Sequence, residues 1–170
     1  MKQQAHKLNS WHVSIAAEAT AAALFARCGV DVSVQYGANQ PEYDLMIARG
    51  DKILKVSVKG SQDGAWGLCQ SFLENANYHE AIKKWLNRHN PHTILCFVQF
   101  EDVAIIDAAR VYLATPSEVA QHLNKAKNGK GDTTLHEMHT WGEMSFAANT
   151  TDEIPKNWKF SFERINQLLE

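Results

Sequence analysis

A chain of 170 residues that is 45% hydrophobic and 21% charged can bury a substantial core, which argues against disorder and favours one domain over residues 1–170. Its formal charge of −2 does not advertise a nucleic-acid surface. No apolar run approaches the ~18 residues that cross a bilayer, and Cys28, Cys69 and Cys96 are too scattered for a CxxC zinc pair or a disulfide frame, so the expectation is a cytoplasmic protein with free thiols.

The first predicted element is a helix that starts after Asn9 or Ser10, either of which can cap it, and stops at Gly29. Its apolar stretch at 19–26 follows a basic N-terminus, but the polar lead and Glu18 fit an amphipathic helix better than a signal peptide. Leu8, Trp11, Ile15, Ala22 and Phe25 recur at helical spacing and are expected to be its buried stripe. Glu18 falls in the gap of that stripe. It is either an inward carboxylate that a cation or polar group must meet, or the edge of a broad Ala-rich face that reaches water.

Residues 30–36 alternate weakly as a strand before a loop at 37–41. Residues 43–60 then read as two strands joined at Gly50-Asp51, the strongest hairpin signal in the chain. In the second strand Leu54, Val56 and Val58 alternate with Ile53, Lys55, Ser57 and Lys59, dividing a core face from its opposite. Antiparallel folding returns Asp44 toward the far end of that strand, where Ser57 and Lys59 lie.

A polar loop follows at 60–64, then a short extended piece at 66–70. Asn77 with Glu80 makes a capping box for a helix to about Asn90, with Tyr78, Ile82, Trp85, Leu86 and His89 as its stripe. Residues 93–100 form a near-continuous apolar run, the mark of a strand covered on both faces. Residues 103–106 and 109–114 read as one further strand or a broken pair. Thr115-Pro116-Ser117-Glu118 starts a helix that runs to about Lys127 and stops at Asn128-Gly129. A short strand at 133–138 and a closing helix at 162–169 complete an α/β layered domain with a mixed central sheet.

A helix carrying Glu18, then a hairpin carrying Asp44 and the run Ser57-Val58-Lys59, resembles the PD-(D/E)XK nuclease superfamily. The similarity is greatest to its Holliday-junction-resolvase-related, restriction-endonuclease-like branch. It covers residues 10–60 and, more loosely, the helix near 75–90 and the strand at 94–100. It implies a restriction-endonuclease-like mixed central sheet flanked by helices. It also implies hydrolysis of phosphodiester bonds in duplex or branched DNA, dependent on Mg²⁺ or Mn²⁺, by a homodimer with no membrane partner. In that family the strand Asp and the acid two residues before the Lys bind the ion, the Lys orients the attacking water, and a helix Glu often completes the site. Here Glu18 matches the helix acid, Asp44 the strand Asp and Lys59 the Lys. Ser57 stands where the second acid is expected, and Pro41 is three residues ahead of Asp44 rather than adjacent; both are departures.

The chemistry agrees with the resemblance. A divalent ion clamps the phosphate and lowers the pKa of a bound water. Mg²⁺ takes hard oxygen ligands and keeps several waters, so two carboxylates, Asp44 and Glu18, can suffice with the Val58 carbonyl as a third ligand. Ser57 Oγ would ligate weakly or through water, and Gln62 and Gln70 are candidates to replace the lost polar contact. Lys59 would hydrogen-bond the nucleophile and offset phosphate charge. The plain alternative is a cross-strand ion pair between Asp44 and Lys59 on a solvated face, worth roughly 0.2–1 kcal/mol. A second functional reading keeps the fold without catalysis, as a DNA-binding or protein-interaction subunit. Elsewhere, His136 and His139 are separated by two residues rather than the three of HExxH, and neither GxxxxGK[ST] nor GxGxxG occurs.

Overall fold

In the computed structural model, which describes residues 7–35 and 42–170, the organising element is a ten-residue strand, β3 (Lys52–Ser61). It is reached through helix α1 (Ser10–Arg27), β1 (Asp31–Val34) and β2 (Leu45–Arg49), with the expected two-residue turn at Gly50-Asp51. Gly50 sits at φ +59°, a conformation glycine adopts without steric cost. Tyr36 and the loop at 37–41 lie outside the described residues.

After β3 come β4 (Ala65–Gly67), α2 (Tyr78–Asn87), β5 (Thr93–Gln99), β6 (Arg110–Ala114) and α3 (Pro116–Lys125). The chain ends through β7 (Thr134–His136), β8 (Met138–Thr140), β9 (Thr151–Glu153) and α4 (Phe162–Leu169). The central sheet has the order β1-β2-β3-β5-β6. Its β3–β5 pair is parallel and its other pairs are antiparallel, so the mixed sheet expected from the sequence is present. Helices α1 and α4 cover one face through Ala17, Ala21, Phe25, Ile165 and Leu169. Helices α2 and α3 cover the other through Ile82, Trp85, Val119 and Leu123. All seven residues of β5 are buried, as a strand sandwiched between two helical layers requires.

Asn9 caps α1 by accepting the His12 N–H at 2.9 Å, and Gly29 (φ +71°) ends it. Its buried face differs from the expected stripe. Val13, Ala17, Ala21 and Phe25 are buried, while Leu8, Trp11 and Ile15 are 39%, 65% and 46% exposed. The reason is a close helix–strand approach. A Cβ built on Gly60 of β3 would stand 2.9 Å from Ala17 Cβ, Val13 Cγ1 and the Val13 carbonyl oxygen. Val13 and Ala17 fit against so close a strand, and Trp11 and Ile15 turn outward.

Other boundaries move as well: α3 ends at Lys125, and the strand expected at 133–138 is confined to β7, with β8 starting at Met138. Helix α2 stops at Asn87, where the Arg88 and His89 N–H groups bond back to Trp85 and Leu86 carbonyls. Residues 103–106 form turns instead of a strand: Asp102 is left-handed at φ +55°, and Ile105 and Ile106 are almost wholly exposed. The helix start at Thr115 is as expected, a full capping box with Pro116 in the first turn.

Candidate active site

The pairing of β2 with β3 runs back only to Leu45 opposite Val56, but β3 continues to Ser61 beside Gln99 of β5. Asp44 sits at the bend where the two strands part. Its N–H donates to the Val56 carbonyl and its own carbonyl accepts from Gln35 N–H, both at 2.9 Å. Its side chain then replaces the missing strand, as Oδ2 accepts the Val58 N–H at 2.6 Å. In a regular strand a residue's N–H and C=O point to the same side, so the Val58 carbonyl faces the same open edge.

A cleft of about 450 Å³ occupies that edge. Ser10, Ser14 and Glu18 of α1 form one wall, and Asp44, Val58 and Lys59 line the strand side. The three residues singled out by sequence, Glu18, Asp44 and Lys59, therefore share one cavity, with Val58 beside them. Their charges also act on one another. Burial pushes the Glu18 carboxyl up, the neighbouring Asp44 charge pushes it further, and Lys59 offsets part of the rise. Two acids are thus held together at an electrostatic cost that a bound cation would relieve.

Among the described residues Lys59 makes no ion pair within 4.0 Å, so the cross-strand pair with Asp44 is not formed. Ser57 is buried, 4% exposed, and is not among the residues lining the cleft. Of the side chains proposed to compensate for it, Gln62 lines the cleft and Gln70 does not. Gln62 exchanges two hydrogen bonds with the Leu8 backbone (3.0 and 2.6 Å), and Gln70 Nε2 donates to Thr134 Oγ1 at 2.8 Å.

Sequence reasoning missed most of the other lining residues, among them Ser10, Ser14, Asp63 and Trp66. Ser10 and Ser14 belong to α1 but were hidden by the wrong choice of its buried face. Asp63 follows the motif, with Oδ1 accepting from Ser61 Oγ at 2.9 Å. Trp66 comes from β4 and no local pattern assigns it to the cleft. Asp63 does not complete a three-acid centre: among the described residues no three His, Cys, Asp or Glu side chains are grouped to hold an ion. The Glu18 and Asp44 carboxylates and the Val58 carbonyl are hard oxygen donors, which would suit Mg²⁺ or Mn²⁺ with several waters better than zinc.

His136 and His139 lie on β7 and β8 with their rings stacked at 4.6 Å. His136 Nε2 is 3.5 Å from Asp132, and Trp141 packs against both histidines. They belong to two short strands in separate two-stranded sheets. No family model matches the chain, and no curated protein matches it.

Proposed function

We propose that this protein is a Mg²⁺- or Mn²⁺-dependent DNA endonuclease with a restriction-endonuclease-like arrangement of its mixed sheet. The observation that carries the reading is the convergence of Glu18, Asp44 and Lys59 on one cleft where β2 and β3 separate. The strand and helix order around that cleft supports it. The ion, when bound, would polarise the phosphate and lower the pKa of a water.

The chain's residues do the rest. Asp44 is held rigid by its bond to the Val58 amide, so its second oxygen is presented to the cleft without loss of side-chain entropy on binding. Glu18 supplies the second negative ligand from α1, and the Val58 carbonyl supplies a neutral one. Lys59 orients the attacking water and offsets the charge that develops on the phosphate in the transition state. Lys59→Met should lower cleavage of duplex and branched DNA by about 10²–10³-fold, and Asp44→Asn should abolish it. Cleavage at the wild-type rate in both variants ends this reading.

The burial of Ser57 away from the cleft favours a second reading, a nuclease-fold protein that binds DNA or another protein without cleaving. A calorimetric titration separates the two. Mn²⁺ binding at millimolar concentration or below that disappears in Asp44→Asn rejects the inactive reading, and no binding by the wild type rejects the active one.

A further inference from the structure

Trp66 is 3% exposed, yet it forms part of the cleft wall beside Lys59. It comes from a different sheet. Strand β4 pairs with β7, Trp66 lying opposite Leu135. Its indole Nε1–H reaches across to β3 and donates to the Lys59 carbonyl at 2.9 Å. The ring packs on Phe97 at 5.3 Å and Tyr112 at 6.4 Å between centroids. Phe97 is the residue directly opposite Lys59 in the β3–β5 pair, so Phe97 and Lys59 share a face of the sheet.

That register sets the problem the indole solves. By strand alternation Lys59 belongs to the face covered by α2 and α3, opposite the α1-facing Val58 and Gly60. A lysine stem there would ordinarily lie along the apolar surface and carry its ammonium out to water. The indole packs on that face against Phe97 and Tyr112 and is pinned by its bond to the Lys59 main chain.

We propose that Trp66 is the positioning residue for Lys59, fixing through its indole N–H the stretch of β3 main chain from which the exposed lysine projects. The reaction assigned to Lys59 rests on the nuclease reading above; the placement of Lys59 by Trp66 does not.

The test removes the donor and keeps the ring. Trp66→Phe is the first variant. Benzothienylalanine incorporated at position 66, which has sulfur in place of the indole N–H and nearly the same shape, is the second and decides the matter if Trp66→Phe fails to fold. In each, 13C relaxation of the Lys59 Cε group in the metal-free protein reads its order directly. Lower order than in the wild type is expected, and unchanged order in a folded variant overturns the proposal. On a DNA substrate the expected split is a fall in kcat of about 10–100-fold, the cost of a misplaced catalytic group, with KM nearly unchanged. A fall in KM affinity with intact kcat overturns it too. If the wild type cleaves nothing while Lys59 order still falls in the variants, the nuclease reading fails and the positioning role stands.

Discussion

The Asp44 carboxylate completes the hydrogen-bond ladder of its own hairpin: Oδ2 takes the Val58 N–H at 2.6 Å where the β2 main chain has turned away. One oxygen is structural, and the residue also lines the cleft. A charge-assisted bond from a backbone amide is among the stronger hydrogen bonds in a protein, so the residue proposed as a ligand also defines where the sheet splits.

Structure and chemistry at Asp44 should therefore separate by substitution. Asp44→Asn keeps an oxygen acceptor for Val58 and should leave urea stability within about 1 kcal/mol of wild type. Asp44→Ala strands the Val58 N–H at the cleft wall and should cost about 1–3 kcal/mol. Both should lose Mn²⁺ binding by calorimetry. Equal stability of the two variants would show that the 2.6 Å bond contributes nothing.

The hairpin was legible because two local signals agreed, a period of two and a Gly-Asp turn. So was β5, whose unbroken apolar run had no face to spare for water. The buried side of α1 was not legible. Its choice of Val13, Ala17 and Ala21 over Trp11 and Ile15 depends on Gly60, a residue more than thirty positions later whose missing Cβ allows the helix close. The same long-range dependence hid Trp66, which reaches the cleft only through pairing with β7. Ser57 was legible as a departure from the family pattern, while its exclusion from the cleft required coordinates.

Gly60 sets the distance from α1 to β3, and with it the reach of Glu18. Gly60→Ala places a methyl 2.9 Å from Ala17 Cβ, Val13 Cγ1 and a backbone oxygen. Overpacking of this kind typically costs about 1–3 kcal/mol. Because the helix must shift, Mn²⁺ binding should weaken as well. Adding Ala17→Gly relieves one of the three contacts, so the double variant should recover part of the stability in urea titrations. A Gly60→Ala protein as stable as wild type would refute the close-approach argument.

The Glu18 carboxyl is raised above its ordinary 4.5 by burial first and by Asp44 second. Between 4.5 and the raised value the folded protein binds more protons than the unfolded chain, so stability falls as pH rises through that window. Above the window the whole penalty is present. Glu18→Gln should consequently be more stable than wild type at pH 7, with the difference closing as pH is lowered below 4.5. Saturating Mg²⁺ should reverse the order at pH 7 by stabilising only the wild type. Urea melts at several pH values check the sign, and a difference independent of pH would contradict it.

The thiols should report on packing. Burial pushes the Cys69 thiol up to about 12 and raises Cys96, which is fully buried, as well. Neither can supply much thiolate at neutral pH. Cys28 is half-buried at the end of α1. A colorimetric thiol reagent should therefore titrate Cys28 alone in the native protein and all three cysteines in denaturant. Rapid modification of Cys96 under native conditions would mean that the β3–β5 core opens far more readily than its burial implies.

Far from the cleft, Glu118 joins two helices through one oxygen. Its Oε2 accepts the Thr115 N–H at 2.7 Å, closing the cap of α3, and Arg164 Nη2 of α4 at 2.6 Å. Arg164 is only 7% exposed and also donates to the Leu113 carbonyl at 3.2 Å. Removing the acid leaves a buried guanidinium without its counter-charge, which costs roughly 3–5 kcal/mol where both partners are buried. The Glu118 side chain is 31% exposed, so solvent screening places Glu118→Ala at or below the lower end of that range. Arg164→Met together with Glu118→Gln removes the buried charge and keeps an oxygen for the Thr115 amide, and should recover most of the loss. The double-mutant cycle in urea therefore gives a favourable coupling between the two residues, while Mn²⁺ binding at the distant cleft stays at its wild-type strength. A coupling near zero would show that water, rather than Glu118, already satisfies Arg164.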